Sequence, residues 1–159
     1  MGKMNVAQNI HIVPIRTTTT DTATFVAPHV NMKLYDKVEF LIYLGALSVA
    51  DMTMTVTQSL VTAGSSSTAI AARYRTSTAA GSDALGAVTT LASTGLAIAN
   101  ATYDGYLFIV DVDSSDLTTA TKPYVGITMT TSASASMVST IIALLWPKYP
   151  KETNADALT

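Results

Sequence analysis

The pattern of hydrophobic and polar residues marks one strand at both of its ends along residues 103–117, Tyr-Asp-Gly-Tyr-Leu-Phe-Ile-Val-Asp-Val-Asp-Ser-Ser-Asp-Leu. Read with period two, Tyr106, Phe108, Val110 and Val112 share one face, while Leu107, Ile109, Asp111 and Asp113 share the other. The second face begins apolar and ends charged, as expected of a strand leaving a core for water. Asp104-Gly105 before it and Ser114-Ser115-Asp116 after it are turn formers, because glycine reaches positive φ freely and Asp and Ser bond their own backbone.

The same period recurs along the chain. Residues 38–44 put Val38, Phe40, Ile42 and Leu44 on one face and Glu39, Leu41 and Tyr43 on the other; both faces are mostly apolar, which predicts a central strand. Residues 52–58 place Met52, Met54 and Val56 inward and Thr53, Thr55 and Thr57 outward, a strand with one wet face. Residues 124–131 turn Val125, Ile127 and Met129 inward and Gly126, Thr128 and Thr130 outward. Residues 137–146 are apolar on both faces and rich in β-branched residues, which predicts a buried strand rather than a helix.

Shorter signals fill the gaps. Residues 9–15 form a strand that lies at an edge or ends at Pro14, since proline cannot donate to a ladder. Thr17-Thr18-Thr19-Thr20-Asp21 reads as a loop, and 22–26 as a short strand stopped by Pro28. Residues 29–35 are ambiguous. Residues 62–67 are a connector, after which Ile70, Ala72 and Tyr74 alternate with Ala71, Arg73 and Arg75. Residues 79–86 and 117–122 are loops. Residues 87–98 hold one or two short strands broken near Ser93-Thr94-Gly95, β-branched residues and glycine weighing against a helix. About eight or nine short strands with no dependable helix describe an antiparallel β-sandwich or barrel. The organisation expected is an N-terminal arm at 1–8, one domain over 9–150, and a polar, mobile tail at 151–159.

Composition alters this picture at the surface. Of the 159 residues 48% are hydrophobic and only 13% charged, with Thr, Ser and Ala taking up the difference. A core of ordinary size follows from the length. A surface so poor in ions keeps little solubility in reserve, so a partner is expected to cover much of it. Thr-rich edges with few Lys or Glu are likewise poorly defended against pairing. The net charge of −2 argues against phosphate attraction, and so against nucleic acid as a partner. The chain has no cysteine, hence no disulfide, thiolate metal site or Cys nucleophile. No secretory signal is legible, and the longest apolar run, 141–146, falls far short of the roughly 20 residues that span a bilayer. A soluble protein with no membrane partner is expected.

Candidate chemistry is sparse. Asp111, Asp113 and Asp116 faintly resemble a calcium loop, but the sixth and twelfth loop positions hold Asp116 and Lys122 where Gly and Glu are needed. His11 and His29 lack a third ligand at zinc spacing. There is no Gly-x-Ser-x-Gly elbow, and Gly81 to Gly86 lacks the Lys-Ser/Thr of a phosphate loop. No enzyme, cofactor or metal is therefore expected. Arg73, Arg75, Tyr74 and Arg16 could form a basic-aromatic patch or lie on a solvated face. Trp146, Lys148 and Tyr149 offer a contact surface or a cap on the core's open end.

The order of the segments Asn-Ile-His-Ile-Val-Pro-Ile, Lys-Val-Glu-Phe-Leu-Ile-Tyr-Leu-Gly-Ala-Leu, Met-Thr-Met-Thr-Val-Thr-Gln, Ala-Ala-Arg-Tyr-Arg, Tyr-Leu-Phe-Ile-Val-Asp-Val-Asp and Leu-Leu-Trp-Pro-Lys-Tyr resembles the small β-rich virion proteins of tailed bacteriophages and prophages, the head-decoration or cement proteins. The resemblance covers roughly residues 9–150 and rests on strand order, not on a diagnostic motif. It implies an all-β, jelly-roll-like sandwich without catalytic residues. It further implies a virion protein on the capsid surface, assembled in the host cytoplasm, that binds the major capsid protein and itself, as a trimer or other homo-oligomer. The residues expected at such interfaces are Ile10, Ile12, Pro14, Arg73, Arg75, Trp146, Lys148 and Tyr149. A second reading is a receptor- or carbohydrate-binding module acting through Tyr74, Tyr103 and Tyr106, which requires those rings to be open to solvent.

Overall fold

In the computed structural model, which describes residues 9–48, 51–131, 136–149 and 157–158, the alternating segments form two antiparallel sheets. The first has six strands in the order β1 (His11–Asp21), β12 (Ser136–Pro147), β4 (Tyr35–Ser48), β10 (Leu107–Asp113), β7 (Ala72–Thr76) and β8 (Thr89–Leu91). The second is built on the pair β11 (Tyr124–Thr131) and β5 (Met52–Ser59). There β2 (Phe25–Val26) and β3 (Val30–Asn31) join β11, while β6 (Thr68–Ile70) and β9 (Leu96–Ile98) join β5.

Counted inward from the two ends, strands pair in nested fashion: β1 with β12, β2 and β3 with β11, β4 with β10, β5 with β9. The chain is thus one long antiparallel ribbon wrapped so that alternate pairs fall in opposite sheets, which is the jelly-roll order. An excursion through β6, β7 and β8 crosses from the second sheet to the first at Ala71.

The sandwich core is the set of inward residues the alternation predicts. Phe40, Ile42, Leu44, Phe108, Val110 and Val112 meet Met54, Val56, Val125, Ile127 and Met129, all fully or almost fully buried. Sheet-on-sheet packing buries alternate residues only, so the period-two signal is the direct cause of this core.

Two expectations need correcting. Among the described residues strands number twelve rather than eight or nine: β2, β8 and β9 stand where short strands are expected, and the surplus comes from β3, in the ambiguous stretch 29–35, and β6, which are two and three residues long and too short to display a period. Residues 17–21 are strand, not loop: Thr19, Thr20 and Asp21 pair with Ser139, Val138 and Met137, and the hydroxyls of Thr18 and Thr140 lie 2.8 Å apart. β1 does run along an edge, as Pro14 requires, and it continues past that proline through two register shifts. Of the tail at 151–159 only two residues are described: Ala157 is fully buried and its carbonyl accepts the Asn31 N–H at 2.8 Å, while the Leu158 carbonyl accepts from the Thr62 hydroxyl at 3.2 Å. The expected N-terminal arm, 1–8, and the rest of the tail, 151–156 and 159, lie outside the described residues. Among the described residues no helix is long and apolar enough to cross a membrane.

His29 sits fully buried on the outer side of the second sheet, against Gly126. Its Nδ1 lies 3.0 Å from the Ala27 carbonyl, which can only accept, so Nδ1 carries the proton. Nε2 then accepts from the Thr57 hydroxyl at 2.9 Å. Burial pushes the His29 pKa below its ordinary 6.5, the bond to Ala27 opposing only in part. The neutral ring therefore contributes stability that is fully present above pH 6.5 and is lost as pH falls from there through the lowered folded value. The melting temperature should fall with acidity in that window, with a slope of up to about 1.4 kcal/mol per pH unit. His29→Gln should flatten that slope in a pH series of thermal melts.

Candidate functional site: the outer face of the first sheet

Because paired residues in an antiparallel ladder point to the same side, the register fixes what the outer face of the first sheet carries. Phe40, Ile42, Phe108 and Val110 point in, so their neighbours point out. One row across the strands reads Pro14, Ile142, Leu41, Ile109, Arg75. The next reads Ile12, Leu144, Glu39, Asp111, Arg73. Flanking rows are Thr140, Tyr43, Leu107 on one side and Trp146, Lys37, Asp113 on the other.

The middle of this face is apolar. Ile12 and Tyr43 are 48% and 50% exposed, Pro14 is exposed, and Leu41, Leu107, Ile109, Ile142 and Leu144 are half-buried by one another. In a sandwich with one wet face these positions should be polar, as Thr53 and Thr55 are on the second sheet. β4, β10 and β12 are instead apolar on both sides, and only the inner side is covered by the other sheet.

Around that centre Lys37, Arg73 and Arg16 are paired. Lys37 Nζ lies 2.6 Å from Glu39 and 3.1 Å from Asp111. Burial alone would lower the Lys37 pKa, but hydrogen bonds and charges from Glu39 and Asp111 outweigh it and hold the value above the ordinary one. The ammonium also lies 5.4 Å from the centre of the Trp146 ring. Arg73 pairs with Asp113, and Arg16 with Asp21 while stacking over Phe25.

The fold gathers five of the eight expected interface residues, Ile12, Pro14, Arg73, Arg75 and Trp146, on this one face. Ile10 precedes β1 and is half-buried; Lys148 and Tyr149 follow β12, the Lys148 N–H donating to the Leu34 carbonyl at 2.9 Å and Tyr149 standing 69% exposed. The proposed basic-aromatic patch does not form. Tyr74 points inward onto Phe108, and Arg16 lies at the far edge with Asp21. Sequence reasoning missed Leu41, Tyr43, Leu107, Ile109, Ile142 and Leu144 as a surface. Their signal was the second apolar face of each strand, which reads equally as burial.

The remaining candidates are engaged within the chain. Tyr103 packs edge-on against Tyr106 and Phe108 at 5.4 and 5.3 Å between ring centres, and with Tyr74 all three tyrosines lean on the core rather than forming an open platform for sugar. His11 Nδ1 lies 2.6 Å from the Tyr35 hydroxyl, while the enclosed His29 is bonded to Ala27 and Thr57. Asp111 and Asp113 answer Lys37 and Arg73, and Asp116 caps the turn Ser114–Asp116 by accepting the Asp113 N–H at 2.9 Å. With those carboxylates held, millimolar calcium should leave the melting temperature unchanged; a calcium-dependent rise that Asp113→Asn abolishes would contradict this.

No protein-family model matches the chain, and no curated protein matches its sequence.

Proposed function

We propose that the protein is a non-enzymatic structural component of a bacteriophage virion, which binds the lattice of the major capsid protein on the outside of the head and stabilises or decorates the shell. The observation that carries this reading is the uncovered apolar outer face of β12, β4 and β10. A contiguous apolar patch on a soluble sheet marks a surface meant for another protein. The resemblance in segment order to head-decoration proteins supports the same assignment. Lattice symmetry repeats a modest contact many times, so each copy can bind weakly and still be retained. Neighbouring copies are proposed to meet along β1, whose edge offers unpaired backbone groups and a run of uncharged threonines.

Electron microscopy and mass spectrometry of purified particles from the encoding phage test the assignment. The expected result is density for a jelly roll on the capsid exterior with its first sheet, the one built on β12, β4 and β10, toward the shell. Particles lacking the chain would end this reading. Leu41→Ser with Ile142→Ser should leave the fold intact and sharply reduce occupancy.

A further inference from the structure

Four cationic side chains belong to strands of the first sheet: Arg16, Lys37, Arg73 and Arg75. The first three are ion-paired with Asp21, with Glu39 and Asp111, and with Asp113. Arg75 is half-buried, and among the described residues it has neither an ion pair nor a hydrogen bond. It lines a half-open groove with Leu85, Ile109, Lys37, Glu39 and Asp111, directly beside the apolar centre of the outer face. The two carboxylates in that groove do not serve it, because both are taken by Lys37.

We propose that Arg75 is the anchor of the docking face and receives an acidic side chain from a protein partner, whose apolar neighbours settle on Leu41, Ile109 and Leu85. This rests on the reading of the face as the contact to the shell and names the chemistry of that contact. A guanidinium presents a planar fork of donors that suits a carboxylate, and a surround of Ile109 and Leu85 excludes water and strengthens the pair. The charge census decides against a second copy laid face to face. Such a copy would set a second unpaired Arg75 in the interface and would bring Asp21, Glu39, Asp111 and Asp113, each already ion-paired, while its unpaired Asp36 and Asp83 have no place in the paired rows of this face. The partner is therefore a different chain with a free Asp or Glu within an apolar patch.

Co-sedimentation of the purified full chain with capsid shells prepared without it tests this. Wild type should bind. Arg75→Glu should weaken binding about thirtyfold or more; because it also sets a third carboxylate beside Glu39 and Asp111, the comparison is made at a temperature where circular dichroism shows both proteins fully folded. Arg75→Lys should fall between the two, having charge but no fork. Lys33→Glu, the same charge change on the turn after β3, should bind as wild type does. If wild type binds and Arg75→Glu binds equally well, the acidic-partner inference is overturned while the virion assignment stands. If wild type itself does not bind shells, the virion assignment fails and the docking chemistry with it. Equal weakening by Lys33→Glu would replace a specific anchor with diffuse charge attraction, and would overturn the role of Arg75.

Discussion

Phe108→Ala should lower the unfolding free energy by about 3–5 kcal/mol, the largest loss expected from any single truncation discussed for this protein. Phe108 is fully buried near the start of β10, between β4 and β7, with ring centres of Tyr103 and Tyr74 at 5.3 and 6.3 Å. Removing the ring strips those aromatic contacts and leaves a cavity that two rigid sheets cannot close. For a chain of this length the melting temperature should fall by about 10 °C or more. Phe108→Leu, nearer in volume, should cost about 1 kcal/mol. Tyr43→Ala, on the neighbouring strand but pointing outward and half-exposed, should change stability by no more than about 0.5 kcal/mol. Chemical denaturation of the three variants measures the contrast, and a Tyr43 effect as large as that of Phe108 would mean that the outer face is covered within the chain itself.

Gly126→Ala should cost about 3 kcal/mol, far more than one methyl group commonly does. A Cβ at Gly126 would lie 2.5 Å from His29 Nδ1 and 2.7 Å from its Cγ. The imidazole cannot retreat. The Cβ position of Gly64 is likewise only 2.7 Å from Cε1, and Gly64 has φ +72°, where a side chain is strained in any case. The ring is clamped between two glycines while hydrogen-bonded at both nitrogens. Shifting it would leave the buried Ala27 carbonyl and Thr57 hydroxyl without their partner. In a double-mutant cycle His29→Ala should remove much of the Gly126→Ala penalty, because the two changes act on one contact. Gly81→Ala, where nothing lies within 4 Å of the added Cβ, should cost only the left-handed backbone strain, about 1 kcal/mol. Thermal melts of the four variants report the comparison; simple additivity of Gly126→Ala and His29→Ala would reject the clamp.

The sequence by itself determined which side of each long strand faces the core. Phe40, Ile42 and Leu44, Met52, Met54 and Val56, Phe108, Val110 and Val112, and Val125, Ile127 and Met129 are buried as the alternation requires, because a pleated strand has no other way to sort its side chains. The turn at Asp104-Gly105, the break at Ser93-Thr94-Gly95 and the edge position of β1 were legible for the same local reasons. Only the tertiary structure decided what the second apolar face of β4, β10 and β12 means, since periodicity cannot distinguish a face covered by its own chain from one left for a neighbour. It also decided that Gly126, outward by pattern, is roofed by His29, and that the Thr-rich run at 17–21 is strand, because threonine extends when a partner such as β12 lies alongside. The lack of an ion partner for Arg75 emerged last, from register: alternation set the face, but the pairing of β7, β10 and β4 placed Glu39 and Asp111 on Lys37 and Asp113 on Arg73.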